Sequence, residues 1–454
     1  MAGEAGAAGQ GGEPPFAAAC GACGMSECTA ELSACTANQE CAPWLGCVRA
    51  CTDAACVSAC DAEYVDVVRV FTGVYECLCD SCQTECSPIG ACEKSTCVDD
   101  AALPPTEQAP ATLAETGLYA GYRVPAGEGG AGGAGGAGAV PELDPGVDPL
   151  TLESYVRGFE PKYPLWADGA EKARYVYIPK CSTIDTSDMD HWRFPVGTRF
   201  WKQFTAPATM GGAKVVVETR LMHKFGPGEA DWVFAAYQWD PTAPLDPASA
   251  KAVPGGVTSA NGTDHDIPAT GQCIACHATI SERVLGFGAI QLSHDTSGED
   301  LTIEKLSRAD WLTEGAPAGF LVPGTPTQQA ALGYLHGNCG GCHHQAASLG
   351  AAMANGGTAL VMRLLTGQKT YEDTDTFKSS VGVTVGNALS LAEIQNKPRI
   401  DPMSPDDSAI LIRMKARGTS LQMPPLSTTS TKQADTAGGV TAVSTWVNSI
   451  PPVP

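Results

Sequence analysis

Two five-residue strings constrain this chain more than anything else in it: Cys273-Ile274-Ala275-Cys276-His277 and Cys339-Gly340-Gly341-Cys342-His343. Each reads C-x-x-C-H. With 20 Cys and 8 His in 454 residues, chance supplies only about 0.02 such strings. In this arrangement two thiols form thioethers to a haem edge, and the adjacent imidazole becomes the proximal iron ligand. The competing reading is a disulfide or half of a zinc site beside a bystander histidine, but no C-x-x-C pair follows the second string to complete a four-thiolate site. The expectation is two covalently attached haem c groups, held by Cys273, Cys276, Cys339 and Cys342, with His277 and His343 on the irons.

The second string has company. The run Thr327-Gln328-Gln329-Ala330-Ala331-Leu332-Gly333-Tyr334-Leu335 precedes it, with Thr327 placed to cap a helix and Ala330, Ala331 and Tyr334 on one face. Gln422-Met423-Pro424-Pro425-Leu426 follows, and then a stretch over 438–447 that predicts an amphipathic helix carrying Trp446. The order helix, C-x-x-C-H, Met-Pro, helix resembles a class I cytochrome c domain. That resemblance places Met423 as the sixth iron ligand, where a soft thioether favours ferrous iron and a high potential. Core packing is the plain alternative for a methionine.

Composition sets the compartment and the partners. Fifty acidic against 28 basic residues give a net charge of −22, which excludes nucleic acid and anionic membrane surfaces as partners. Redox partner proteins with a basic docking face are expected instead. No apolar run approaches the roughly 20 residues of a transmembrane helix. The opening residues lack the basic and apolar regions of a signal peptide, so residue 1 is read as the start of a mature or trimmed form. The small, Gly-rich opening over 2–15 is like the spacer behind a bacterial lipid anchor, although the lipidated cysteine is missing.

Fifteen cysteines fall within residues 20–97, far above the roughly 8–10% that marks a disulfide scaffold. Cys47/Cys51, Cys56/Cys60 and Cys82/Cys86 stand at i, i+4. Each pair shares one helix face and is placed to staple its helix to another rather than to bridge itself. Residues 63–71 supply an apolar stripe. A thiolate metal site and a thioredoxin-like Cys79-Asp80-Ser81-Cys82 are the rivals, disfavoured by an oxidising compartment and by the missing βαβ pattern. Fifteen is odd, and Cys181 would make sixteen. A Pro-rich stretch and a glycine run over 127–138 follow as linker. Residues 174–178, 197–204, 214–222 and 232–239 are rich in β-branched and aromatic residues between turns, predicting an antiparallel sheet or sandwich. Asp185, Asp188 and Asp190 read as an acidic turn rather than a calcium loop.

The expected organisation is multidomain. A spacer over 1–19 leads to a small helical disulfide-rich domain over 20–100 and a linker over 101–149. An antiparallel β domain over 150–272, a first haem segment over 273–325 and a mainly α cytochrome c-like domain over 326–454 complete it. The strings Tyr163-Pro164-Leu165-Trp166-Ala167-Asp168-Gly169, Phe194-Pro195-Val196-Gly197-Thr198, Val217-Glu218-Thr219-Arg220-Leu221, Val284-Leu285-Gly286-Phe287 and Tyr334-Leu335-His336-Gly337-Asn338 resemble those of a family of exported bacterial dihaem c-type cytochromes. The likeness runs from about residue 112 onward, and the cysteine-rich head resembles modules of myxobacterial secreted proteins. The family implies haem binding and electron transfer, with a periplasmic, extracellular or outer cell-surface location, and no settled substrate.

The functional expectation is an electron carrier rather than a catalyst with its own substrate. A dihaem peroxidase or oxidase is the enzymatic rival, for which the sequence shows no convincing distal residues. A surface structural or adhesive protein with ancillary haems is the third reading. Gly-x-Ser-x-Gly, P-loop and dinucleotide fingerprints are absent. For the sixth ligand of the first haem, His294, seventeen residues after His277, ranks first. His336, three residues before the second string, ranks second, and His265 third. An open or methionine-ligated site is held in reserve.

Overall fold

The computed structural model describes residues 15–37, 41–51, 56, 59–60, 63–64, 67, 74, 77–78, 81–86, 106–123, 142–179, 182–207, 213–295, 298, 300–309, 311–315, 319–345, 359–385, 391–424 and 434–452. They fall into two compact units. One comprises Met1–Asp100, Pro179–Thr183 and Ser307–Trp311; the other comprises Ala101–Ile178, Ile184–Leu306 and Leu312–Pro454.

The first unit is held by sulfur. Its described helices are Pro15–Glu27, Thr29–Ala37, Cys41–Arg49 and Gln83–Cys86. The disulfides are Cys20–Cys86, Cys23–Cys82, Cys28–Cys77, Cys35–Cys41, Cys47–Cys60 and Cys51–Cys56. None of the expected i, i+4 pairs bridges itself. Cys86, in the helix Gln83–Cys86, and Cys82 just before it bond to Cys20 and Cys23 of Pro15–Glu27, and Cys47 and Cys51 reach Cys60 and Cys56. Cys82 therefore pairs with Cys23, which removes the thioredoxin-like reading. Trp44, Leu45, Val67 and Val74 fill a core whose walls are largely cystine. Cys79, Cys92, Cys97, Cys181 and most of the 63–71 stripe lie outside the described residues, as do the spacer over 1–14 and the glycine run. Such bridging belongs to an oxidising compartment.

The second unit is built on a six-stranded antiparallel meander in which strands consecutive in the chain pair with each other. Its long members are β4 (Glu171–Tyr177), β5 (Arg199–Pro207), β6 (Lys214–Lys224) and β7 (Trp232–Gln238), edged by β3 (Arg157–Gly158) and β8 (Lys251–Ala252). Strict alternation gives two faces. Tyr175, Tyr177, Trp201, Leu221, Ala235 and Tyr237 pack one face onto Leu113, Leu118, Tyr119 and Val156. The other face carries Arg174, Phe200, Lys202, Arg220, Met222 and Phe234 toward the cavity described below.

Residues 106–123, expected in the linker, are part of this core. The Leu113 amide donates to the Ala250 carbonyl at 2.9 Å, and Trp201 Nε1 donates to Thr116 Oγ1 at 3.0 Å. β1 (Tyr122–Arg123) pairs with β2 (Glu142–Leu143). Residues 150–272 and 326–454, expected as separate domains, also lie in this one unit.

The helices of the unit pack chiefly through Pro326–Asn338 and Thr441–Ser449. Ala331, Leu332 and Leu335 meet Val443, Trp446 and Val447 in one cluster, so the buried stripe runs one residue later than the expected Ala330 and Tyr334. The cap is Thr325 rather than Thr327. Pro326 fills the first turn, where no amide partner is needed, and the Thr325 amide donates to Gln328 Oε1 at 2.8 Å. At Gly439 a Cβ would collide with the Tyr334 ring, which is why glycine stands where these helices meet. Among the described residues no helix is long and apolar enough to cross a membrane.

Candidate functional site

The first C-x-x-C-H string ends the helix Thr270–His277, which is anchored to the sheet unit by the Thr270 amide on the Pro254 carbonyl at 3.0 Å. Beyond it the chain turns sharply through Glu282 and Arg283, both in the left-handed region at φ 56° and 54°. Two consecutive non-glycine residues there persist only where surroundings hold them. Here the hold is a buried ion pair, Lys224 Nζ to Glu282 Oε2 at 2.5 Å. The turn delivers the Arg283 carbonyl to His277 Nδ1 at 2.6 Å. A ring donating from Nδ1 keeps its lone pair on Nε2, the arrangement of a metal-ligating histidine. Burial, aided by the Lys202, Arg220 and Arg283 charges and opposed by that carbonyl, pushes the imidazole down to about 4. The ring is therefore neutral at physiological pH.

The second string follows directly from the helix Pro326–Asn338. The Cys339 amide donates to Leu335 O, and the His343 amide to Cys339 O, each at 2.8 Å. The two glycines between its cysteines are there for close approach. A Cβ on Gly340 would meet the His336 carbonyl at 2.5 Å, and one on Gly341 would meet Leu285 Cδ2 at 2.8 Å. His343 Nδ1 is buried with no partner inside hydrogen-bond geometry, although the nearby Leu360 carbonyl acts to retain its proton. Burial outweighs that carbonyl and lowers the ring to about 4.

The strings meet each other. Thr279 Oγ1 lies 2.6 Å from the carbonyls of both Cys276 and Gly341, and His344 Nε2 donates to the Thr279 carbonyl at 2.6 Å. The Cys276 and Cys342 thiols share a hydrogen bond, which pushes Cys342 down to about 7 and Cys276 up. Burial raises Cys273, and it raises Cys339 to about 12. All six motif residues line one cavity of about 480 Å³, between the Phe200 and Arg220 face of the sheet and the helical residues, and Met423 lines it too.

The other sequence candidates separate clearly. His336 lines the cavity, its Nδ1 accepting from the Leu364 amide at 3.0 Å. His294 does not. It is bonded through Nε2 to the Glu160 carbonyl at 2.7 Å and lines a second, smaller cavity with Lys162 and Phe320. His265 is likewise outside the main cavity, its Nε2 2.7 Å from Glu218 Oε1. His191 is on the cavity wall with Nδ1 on Asp188 at 2.8 Å. Asp185 and Asp188 accept from the Ser187 and Asp190 amides of their own turn, each at 3.0 Å, while Asp190 Oδ1 reaches across to the Thr366 amide at 2.8 Å. Sequence reasoning missed the cations of the wall, among them Lys202, Arg220 and Arg363. Strand alternation was the signal that could have found the first two.

The groups able to hold a cofactor are thus four thiols as attachment points, with the two ring Nε2 atoms and the Met423 sulfur as ligands. The four motif thiols form no cluster of metal-ligating size among the described residues. Among the described residues the one Cys, His, Asp or Glu set whose ligand atoms all lie within 4.8 Å is Cys51, Cys56 and Cys60, and those cysteines are in disulfides. No family model, curated protein or solved structure matches this chain.

Proposed function

We propose that the chain is an exported dihaem c-type cytochrome that moves single electrons between a periplasmic or surface donor and an acceptor. The observation that carries the reading is that both C-x-x-C-H strings, far apart in sequence, line one cavity with Met423. His277 supports it further, since its Nδ1 bond leaves the Nε2 lone pair available as a ligand. Haem bound there supplies reversible one-electron chemistry. The chain supplies attachment through Cys273, Cys276, Cys339 and Cys342, imidazoles from His277 and His343, and the thioether of Met423. It also excludes water with Phe200, Phe234 and Phe287 on the cavity wall. In this reading residues 326–454 form the cytochrome c-like part, and the acidic surface favours redox partners with a basic face.

The test is intact mass and a pyridine haemochrome assay on protein exported through a haem c maturation host. Two haems per chain are expected, and Cys276→Ala should lose one. A chain carrying one haem or none would overturn the reading. A dihaem peroxidase or oxidase is favoured by one observation, the polar cavity wall that includes His336 and Arg363; turnover of peroxide by the loaded protein separates it from a carrier.

A further inference from the structure

Three cations stand in one row across the sheet. Arg174 on β4 is directly opposite Lys202 on β5, and Lys202 is directly opposite Arg220 on β6. Directly opposed like charges repel across a sheet and weaken it. All three side chains line the main cavity, in a chain where acidic residues outnumber basic ones 50 to 28. Their counter-charges are few. Glu218 accepts from Arg220 Nη2 at 2.5 Å and from Nε at 3.0 Å, but it is shared with His265. Arg174 makes a 3.4 Å bond to the Lys172 carbonyl and feels Glu160. Lys202 makes no side-chain hydrogen bond or ion pair among the described residues, and the one carboxylate whose charge reaches it is Glu218, already bonded to Arg220 and His265. Burial and the charges of Arg174, Lys172 and Arg220 push its ammonium well below the ordinary lysine value. The row also flanks the first C-x-x-C-H string, since Lys202 and Arg220 act on Cys273 and His277.

A sheet does not gain from such a row by itself. Adjacent strands set neighbouring cations about 5 Å apart, so two carboxylates bound along the row would each bridge a pair. Arginine supplies planar, bidentate donors and lysine a point charge between them. We propose that Arg174, Lys202 and Arg220 form an anion site that takes a pair of carboxylates. These belong either to the group attached at Cys273 and Cys276 or to a free dicarboxylate. The first source rests on the dihaem reading; the second does not.

The experiment compares the full-length, matured wild type with Lys202→Met, Lys202→Gln and Lys202→Arg, using succinate as the free anion. If the site holds haem carboxylates, the propionate-bending band in resonance Raman shifts in Lys202→Met. One reduction potential falls with it, because a cation lost from beside ferrous haem favours the ferric state. Lys202→Arg restores both, and succinate changes nothing. If the anion is free, the Raman band stays put, and succinate raises the wild-type melting temperature but not that of Lys202→Met. The proposal is overturned if Lys202→Met matches wild type in band, potentials and succinate response, leaving a neutral structural lysine. Lys202→Gln gives the same readouts should the methionine variant fail to mature. A haemochrome assay that finds no haem sinks the dihaem reading alone; the succinate arm, run on that haem-free chain, still decides the site.

Discussion

His277 donates from Nδ1 to the Arg283 carbonyl at 2.6 Å, while the same atom of His343 is buried without a partner in hydrogen-bond geometry. A donated Nδ1 proton makes an imidazole a more basic ligand, and a more basic ligand stabilises ferric iron. Of two haems held by these rings, the one on His277 should have the lower potential. In the proposed assignment Met423 would serve the same iron as His343, and a thioether ligand would widen the gap by favouring the ferrous state. A spectropotentiometric titration should show two waves. Met423→His should lower the upper one and remove the near-infrared methionine-to-iron band. Movement of the lower wave instead would reverse the assignment.

The Arg283 carbonyl is where it is because Glu282 is tethered. Lys224 and Glu282 are both buried and paired at 2.5 Å, and Lys224 also donates to the Gly228 carbonyl at 3.1 Å. Removing one member of a buried pair strands the other charge, a loss of about 3–5 kcal/mol. Glu282→Gln should therefore lower the urea midpoint strongly, and Lys224→Met with Glu282→Leu should recover most of it. A single variant as stable as wild type would show that the pair does not hold the turn.

His294 was the leading sequence candidate for the first haem's sixth ligand, and its surroundings predict otherwise. Bonded to the Glu160 carbonyl on a different cavity from the C-x-x-C-H strings, it has no approach to them. His294→Ala should leave the low-spin and high-spin haem spectra of wild type unchanged. His336→Ala, which opens the main cavity wall, should alter them. A high-spin haem appearing in His294→Ala would overturn this.

The contrast shows what a sequence carries and what it omits. Covalent spacing is local, so the C-x-x-C-H strings, the i, i+4 cysteines and the alternation of β4 to β7 were all legible. Three-dimensional neighbours were not. Seventeen residues from His277 is ample reach for His294, yet the Gln291 carbonyl accepts from the Lys162 amide at 2.7 Å, pinning that segment beside β3. Leu113 falls in the expected linker because a Pro-rich run precedes it, and Thr116 to Tyr119 read from sequence either as linker or as the start of the next domain, with the glycine run then a surface loop. The burial of Leu113 and Tyr119 against Trp201 and Tyr237 is a tertiary fact that no local pattern announces. The row of Arg174, Lys202 and Arg220 needed strand register, which depends on the turns and on the bulge at Phe204/Thr205.

His223 on β6 is buried directly opposite Arg199, with Nε2 lacking any partner. Burial first, and the Arg199 charge second, lower it to about 4. The unfolded chain binds this proton near pH 6.5, while the folded one refuses it until about pH 4. Between those values the unfolded state holds more protons, so stability rises with pH. The contribution is whole above about pH 6.5 and is lost progressively as pH falls toward 4, with no further loss below. Urea midpoints measured from about pH 7 down to about pH 4.5 should decline in wild type. His223→Leu, which carries no proton in either state, should flatten part of that decline. If the wild-type and His223→Leu profiles run parallel through this window, His223 is protonated in the fold and the buried-neutral assignment fails.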